Sequence, residues 1–394
     1  MISQRQLFLN HLAQTSEMPL GIEVVSASGM YLQTRDGKKY MDLIAGIGVS
    51  ALGHCHPKVV SAIIDQSQKY LHTLVYGEYV LSPQVELASF ISNLLPDPLD
   101  TVYFVNSGSE ATEGAMKLAK RFTGRPNIVA CKNAYHGSTQ GAASLMHPKD
   151  FTGPFHPLLP GVRHISYNCE VCLDKIDEST ACVIIETVQG EAGVKLPRPG
   201  YLGSLRKRCS EVGALLILDE IQCGFGRTGT FFAFEQFGIV PDILLLAKGM
   251  GGGMPIGAFI ASNIVMQSLS KNPPLGHITT FGGHPVSCAA SLATAQYLVQ
   301  GDLIQEVESK ANWFKELLVH PAILEVRNCG LMMAIELEDF EIVQKVIHYC
   351  LNNGVVTDWF LFNNRSLRIA PPLIIQNEEI EKACSIIIKG LSSI

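Results

Sequence analysis

Short runs that are apolar at every position recur through the middle of the chain. Segments 101–105, 127–131, 182–186, 214–218 and 243–246 are rich in Val, Ile and Leu and are bounded by polar residues or glycine. Strands of this kind are buried on both faces, as in a parallel sheet between helices. Segment 109–122 instead repeats its apolar residues at helical spacing. Strands alternating with helices predict an α/β architecture with a mostly parallel central sheet. The ends read differently. Residues 19–45 carry apolar pairs broken by Asp36-Gly37, the pattern of a small antiparallel meander. Residues 302–394 mix helical stretches with short strands at 332–335 and 367–369. The expectation is a large domain over 46–289 and a smaller α+β domain built from 1–45 and 290–394.

Composition adds limits. The chain has 394 residues, 47% of them hydrophobic, enough for a substantial core. Charged residues are only 17%, which fits a large buried volume or subunit interface. The net charge is -6 and no basic run occurs, so nucleic acid is not an expected partner. The 11 cysteines are scattered, several in apolar runs, and read as reduced, cytoplasmic usage. Cys169 and Cys172 form a lone C-x-x-C, expected as ordinary loop thiols with no metal. No signal peptide and no run of 18 apolar residues is present, so a membrane is not expected either.

Four segments carry candidate chemistry, each where a strand meets a loop, the usual place for a ligand in an open α/β sheet. The first is VNSGSEATEGAMKLAK from Val105. Ser107, Gly108 and Ser109 stand at a helix start, which taken alone reads first as an N-cap and second as a phosphate cradle. The second is LILDEIQCGFGRTG from Leu216, where Asp219 ends an apolar strand. A carboxylate there needs a cation or donors, which a structural ion pair or a protonated ligand nitrogen would both supply. Gln222, three residues on, could bond the same ligand. The third is DILLLAKGMGGGMPIGAF from Asp242. Lys248 follows an apolar run and meets a glycine-rich loop. It is either a Lys snorkelling from a strand end or a desolvated nucleophile. The fourth is HITTFGGHP from His277, with Thr279 and Thr280 before a Gly-Gly turn. Together they describe a pyridoxal 5'-phosphate (PLP) site, which needs an amine for the aldehyde, an acid against the ring nitrogen and anchors for the phosphate.

Ordered motifs from GIGVSALGHCHP at Gly46 through NSGSEA, ETVQGEAG, LDEIQCGFGRTG, the Lys248 segment and TTFGGHP to RIAPPL at Arg368 span nearly the whole chain. In these the sequence resembles the class III PLP-dependent aminotransferases of fold type I, nearest the acetylornithine and ornithine branch. The resemblance implies a PLP enzyme that transfers an amino group by ping-pong turnover, with Lys248 as the Schiff-base lysine and Asp219 on the ring nitrogen. It implies that Gln222 bonds the ring hydroxyl, that Gly108 and Ser109 hold the phosphate, and that Tyr135 stacks on the ring. Ser107, His136, Glu186 and Ile221 fall in the same cofactor-contacting motifs. It implies a homodimer in which Thr280 reaches the phosphate in the neighbouring subunit. Arg368 matches the residue that grips a substrate carboxylate, and Glu191 the one that covers that Arg when no carboxylate is bound.

Two positions depart from the family. Ser138 stands where these enzymes usually carry an Arg directly after the YHG element, which in the family grips the distal carboxylate of glutamate or the α-carboxylate of ornithine-type donors, so its loss bears on both substrates. Ile47 stands where ornithine enzymes favour an aromatic residue, which leans toward acetylornithine-like or other ω-amino donors. A hydroxyl cannot replace a bidentate cation, a loss on the order of 2–5 kcal/mol of carboxylate binding. Arg163, Lys132 and Lys149 are candidate substitutes. The alternatives are an ω-amino acid or amine transaminase with an acceptor such as pyruvate, a PLP aminomutase or decarboxylase on the same fold, or a PLP-sensing binding domain.

Overall fold

The computed structural model describes residues 3–394. The N-terminal segment forms three antiparallel strands, β1 (Val24–Ser28), β2 (Tyr31–Thr34) and β3 (Lys39–Asp42). Gly37, at φ 83°, makes the tight turn expected at Asp36-Gly37.

The central sheet has seven strands: β4 (Thr101–Val105), β5 (Asn127–Cys131), β6 (Val162–Ile165), β7 (Thr180–Glu186), β8 (Leu215–Asp219), β9 (Ile243–Leu246) and β10 (Gly257–Ala261). Their order is β4-β10-β9-β8-β7-β5-β6. β10 runs antiparallel to both neighbours and the other pairings are parallel. Every residue of β7, β8, β9 and β10 is buried. That accounts for the uninterrupted apolar runs in the sequence, since helices cover both faces. Because all strands but β10 point the same way, the carboxyl ends of β4, β5, β7, β8 and β9 lie along one edge.

The C-terminal part holds β11 (Glu325–Cys329), β12 (Met332–Glu336), β13 (Val355–Val356), β14 (Asp358–Phe360) and β15 (Asn363–Ile369). Four of them form an antiparallel sheet in the order β11-β12-β15-β14. β13 instead joins the N-terminal sheet in parallel with β3, pairing Val355 with Met41 and Val356 with Asp42. The two termini therefore meet through backbone hydrogen bonds.

One expectation is corrected. Cys169 and Cys172, read as reduced loop thiols, are joined by a disulfide. Asn168, at φ 63°, starts a turn in which the Cys172 N–H donates to the Cys169 carbonyl at 3.2 Å. The turn sets the two Cα atoms 5.3 Å apart, within disulfide reach. The other nine cysteines are free thiols, and all of them but Cys55 are buried. Among the described residues no helix is long and apolar enough to cross a membrane.

Candidate active site

A cavity of about 430 Å³ opens at the edge where those parallel strands end. β4 delivers Ser107, Gly108 and Ser109; the loop after β5 delivers Tyr135 and His136; β7 ends in Glu186, β8 in Asp219, and Lys248 follows β9. Ile221, Gln222 and Glu191 complete the expected residues in its wall.

At one end the helix Gly108–Thr123 points its N-terminus into the cavity. Ser107 is its N-cap, and its hydroxyl accepts from Glu110 N–H at 3.2 Å. The cap reading is therefore right as far as this bond goes, and it does not compete with the cradle. The amides of Gly108 and Ser109 precede the first intrahelical bond, from Ala111 N–H to Ser107 O, so they remain available to an anion. A side chain at Gly108 would fill this end, since its Cβ would sit 2.8 Å from Ile221 Cδ1. At Gly137, φ 125°, a Cβ would lie 2.2 Å from Ser109 Oγ.

At the other end Asp219 is only 3% exposed. Its Oδ1 accepts from Ile221 N–H at 2.9 Å, and its Oδ2 lies 2.6 Å from His136 Nδ1. Burial opposes charge on His136, but the bond and the charge of Asp219 outweigh it and hold its pKa above the ordinary value. The second ring nitrogen of His136 is buried with no partner. Asp219 is thus a fixed, buried acid held by a backbone amide and an imidazole. Glu186 accepts from Tyr135 N–H at 3.1 Å and Gly190 N–H at 2.7 Å, and burial pushes its pKa up to about 7. It ties the Tyr135 loop to the end of β7.

Lys248 is held in the left-handed region at φ 46°, an unfavourable conformation for a non-glycine residue and one that concentrates at functional sites. Burial lowers its pKa, while Glu191, Asp219 and Glu186 pull the other way. Desolvation therefore favours the neutral, nucleophilic amine, against the field of the carboxylates.

Beside the cavity, Arg368 on β15 is 3% exposed, so it is no surface ion pair. Its Nη1 and Nη2 donate to Glu191 Oε1 and Oε2 at 2.7 and 2.9 Å, the parallel fork that planar carboxylate recognition uses. Burial opposes ionisation of Glu191, but Arg368 brings its pKa down to about 2. Gln222 Nε2 also donates to Glu191, at 3.2 Å, which links the two ends. Ile47 lines the small cavity against Arg368 at φ 61°, a strained backbone for a β-branched residue.

Two further expected residues lie apart from both this cavity and the small one at Arg368. Ser138 is exposed, and its hydroxyl lies 2.9 Å from the Tyr135 hydroxyl. Thr280 is exposed, and its carbonyl accepts from His72 at 2.8 Å. None of the substitute cations reaches the cavity: Arg163 pairs with Asp177 at 2.6 Å on the edge strand β6, Lys149 lines a separate cavity with His147 and His164, and Lys132 is not in the wall. Sequence reasoning missed Val188 and the 253–256 segment, which line the cavity, and Asp358, which contacts Arg368. Val188 was findable only by its closeness to Glu186, since it lies in the bend two residues past the end of β7. Asp358 carried no such signal.

The residues fit PLP: an anion cradle at a helix N-terminus, a buried acid for a ring nitrogen and a desolvated amine share one cavity. Comparison with known proteins agrees. The chain is 40% identical to the acetylornithine aminotransferase of Methanopyrus kandleri over 378 residues, covering 95% of this chain and 94% of that one. It is 37% identical to the acetylornithine aminotransferase of Caldanaerobacter subterraneus subsp. tengcongensis, covering 95% of each. Among solved structures it resembles the ornithine aminotransferase of Toxoplasma gondii with a TM-score of 0.92 and 30% identity, over 100% of this chain and 96% of that one. A transaminase from the marine bacterium Virgibacillus superposes equally well, with a TM-score of 0.92, at 24% identity, a likeness of fold. The Aminotransferase class-III profile matches residues 12–391, and the chain belongs to that family of PLP-dependent transaminases.

Proposed function

We propose that this transaminase takes the ω-amino group of an acetylornithine- or ornithine-type donor and passes it to a keto acid in a ping-pong cycle. The observation that carries this reading is the buried Arg368–Glu191 fork beside the desolvated Lys248. An amine donor with no carboxylate near its reacting carbon leaves that fork closed. A keto acid brings a carboxylate that replaces Glu191 on the same guanidinium. One pocket thus accepts both substrates without leaving an unpaired buried Arg, which would cost several kcal/mol. The acetylornithine aminotransferase relatives support the donor assignment.

In this reading Lys248 would hold the cofactor aldehyde through its amine and, once that amine is free, would move the proton at the substrate carbon. Asp219, steadied by His136 and Ile221 N–H, keeps the ring nitrogen protonated. Ser107, Gly108 and Ser109 would hold the phosphate, Tyr135 would pack against the ring, and Gln222 would bond the ring hydroxyl. The cofactor supplies the electron sink for the carbanion. We assign 46–289 to the cofactor-binding domain and 1–45 with 290–394 to the smaller one. A cytoplasmic homodimer fits the exposed Thr280, which would reach the partner's cofactor phosphate, and the exposed Leu275, Ile278 and Phe281 around it.

One observation favours a different acceptor. Ser138 offers no cation for the distal carboxylate of 2-oxoglutarate, and no other described cation stands in the cavity wall in its place. A monocarboxylate such as pyruvate needs only Arg368. The test is a screen of acetylornithine, ornithine and simple ω-amino acids against pyruvate and 2-oxoglutarate. Turnover of α-amino donors alone would overturn the ω-amino reading.

A further inference from the structure

Glu191 is not the sole acid on Arg368. The guanidinium Nε donates to Asp358 Oδ1 at 2.8 Å, and Nη2 also donates to the Trp359 carbonyl at 2.9 Å. The Phe360 ring lies 4.4 Å from Cζ. Asp358 stands directly across the β14–β15 ladder from Arg368, so strand register fixes this contact. Two carboxylates therefore face one cation, and with all three ionised the trio carries a charge of -1.

The two acids are not equivalent. Glu191 occupies the Nη edge, which an incoming carboxylate needs for a two-bond fork. Asp358 occupies Nε and leaves that edge clear.

We propose that Asp358 is a positioning and specificity-determining residue for keto-acid binding: it keeps the Nη edge of Arg368 turned to the pocket, and its charge moderates how tightly that edge holds a carboxylate. This rests on the reading of Arg368 as the carboxylate grip. A guanidinium with no second acid would bind its acid product as tightly as its acid substrate and release it slowly. Asp358 lowers the attraction while preserving the geometry.

The charge of Asp358 is adjustable. The charged groups facing it are Arg368 on β15, Glu191 from the loop after β7, and Asp42 on β3, which His54 contacts at 2.9 Å. Burial raises the Asp358 pKa, Arg368 opposes this, Glu191 and Asp42 add to it, and the result is about 6. That value is above the ordinary carboxyl range, so the negative charge is present above about pH 6 and is lost as pH falls through it.

The test uses the holoenzyme and follows the two half-reactions separately by cofactor absorbance, with a primary amine lacking any carboxylate as donor and pyruvate as acceptor. Asp358→Asn keeps an acceptor for Nε and removes the charge. It is expected to lower KM for pyruvate about tenfold, to lower steady-state kcat because the acid product leaves more slowly, and to leave the rate of the amine half-reaction unchanged. Asp358→Ala removes both and is expected to give a pyruvate KM above that of the Asn variant. The wild-type-to-Asn ratio of KM should shrink toward one between about pH 8 and about pH 5. A pyruvate KM in Asp358→Asn at or above wild type, equal values in the Asn and Ala variants, or a ratio constant with pH would each overturn the proposal. Arg368→Gln separates it from the underlying reading. If that variant raises the pyruvate KM while Asp358→Asn does not lower it, the Asp358 proposal alone fails. If Arg368→Gln leaves KM unchanged, the carboxylate reading fails and takes this proposal with it.

Discussion

The cofactor end and the carboxylate end of the cavity are built in different ways. The cofactor end comes from strands of one sheet, each handing over its residues within a few positions of its last residue: Ser107 after β4, Asp219 at the end of β8, Lys248 after β9. The carboxylate end joins two separate sheets, with Glu191 from the loop after β7 bonded to Arg368 on β15, 177 residues away. The first is fixed by backbone already committed to the core. The second depends on how the C-terminal sheet docks against the central one. Chemistry common to every substrate sits on the rigid part, and selectivity sits where small shifts in register or sequence change it.

If this contrast is right, damage at the cofactor end removes activity toward all substrates alike. The largest loss is expected from Lys248→Ala. The amine that carries the proton is gone, so turnover with every donor should fall by at least about 10³-fold. The purified variant should also lack the cofactor covalently trapped by borohydride at this position. An adduct retained on another lysine would show that the assignment at β9 is wrong. Asp219→Asn comes next. It keeps an acceptor for Ile221 N–H but removes the charge facing the ring nitrogen, and kcat should drop on the order of 10²–10³-fold for all substrates. A drop confined to one acceptor would break the contrast between the two ends.

How much of this was legible in the sequence follows the same division. β7, β8 and β9 were readable because strands buried on both faces have no polar positions to blur the pattern, and β4 and β5 because a single polar residue, Thr101 or Asn127, opens an otherwise apolar run. β6 was not, because Arg163 and His164 sit in the middle of an edge strand that is only partly covered. β10 was hidden for another reason: Gly257–Ala261 follows so closely on the glycine-rich loop that it read as part of the Lys248 motif. The roles of Lys248 and Asp219 could be inferred from local context, since a charged residue ending an apolar run is conspicuous. His136 was placed by resemblance alone. Its contact with Asp219 spans 83 residues and has no local signature. The pairing of Asp358 with Arg368 was invisible because β14 is short and the hairpin register that makes them partners follows from tertiary packing. The Cys169–Cys172 bond shows the opposite error: scattered cysteines suggested reduced thiols, but a positive-φ Asn168 folded this one pair together.

A milder change at the cofactor end tests the cradle. In Gly108→Ala the new Cβ would meet Ile221 Cδ1 at 2.8 Å, tighter than packed carbons allow. Overpacking of this size costs about 1–3 kcal/mol, so the Kd for PLP should rise between about fivefold and about 100-fold. Adding Ile221→Val removes Cδ1 and should recover part of the loss, measured by titrating apoenzyme with PLP. Undiminished PLP affinity in Gly108→Ala would mean that the Gly108–Thr123 helix start does not hold the phosphate.

The smallest effect is expected at the carboxylate end, and it should be selective. Ser138 lies on the loop beside Tyr135, with its hydroxyl on the tyrosine's, and its position is where the family carries an Arg. An Arg side chain is long enough to reach from this loop into the cavity and would offer a fork to a second carboxylate. Ser138→Arg should therefore raise kcat/KM for 2-oxoglutarate by about tenfold, close to what one partly exposed charge-assisted fork contributes. It should leave pyruvate nearly unchanged, because pyruvate has a single carboxylate and Arg368 already receives it. A rise for both acceptors would point to a general electrostatic gain. No rise for 2-oxoglutarate would mean that an Arg at this position does not govern the use of a dicarboxylate acceptor. The selective outcome would place the difference between the two acceptors in one side chain on a surface loop, with the sheet that holds the cofactor untouched.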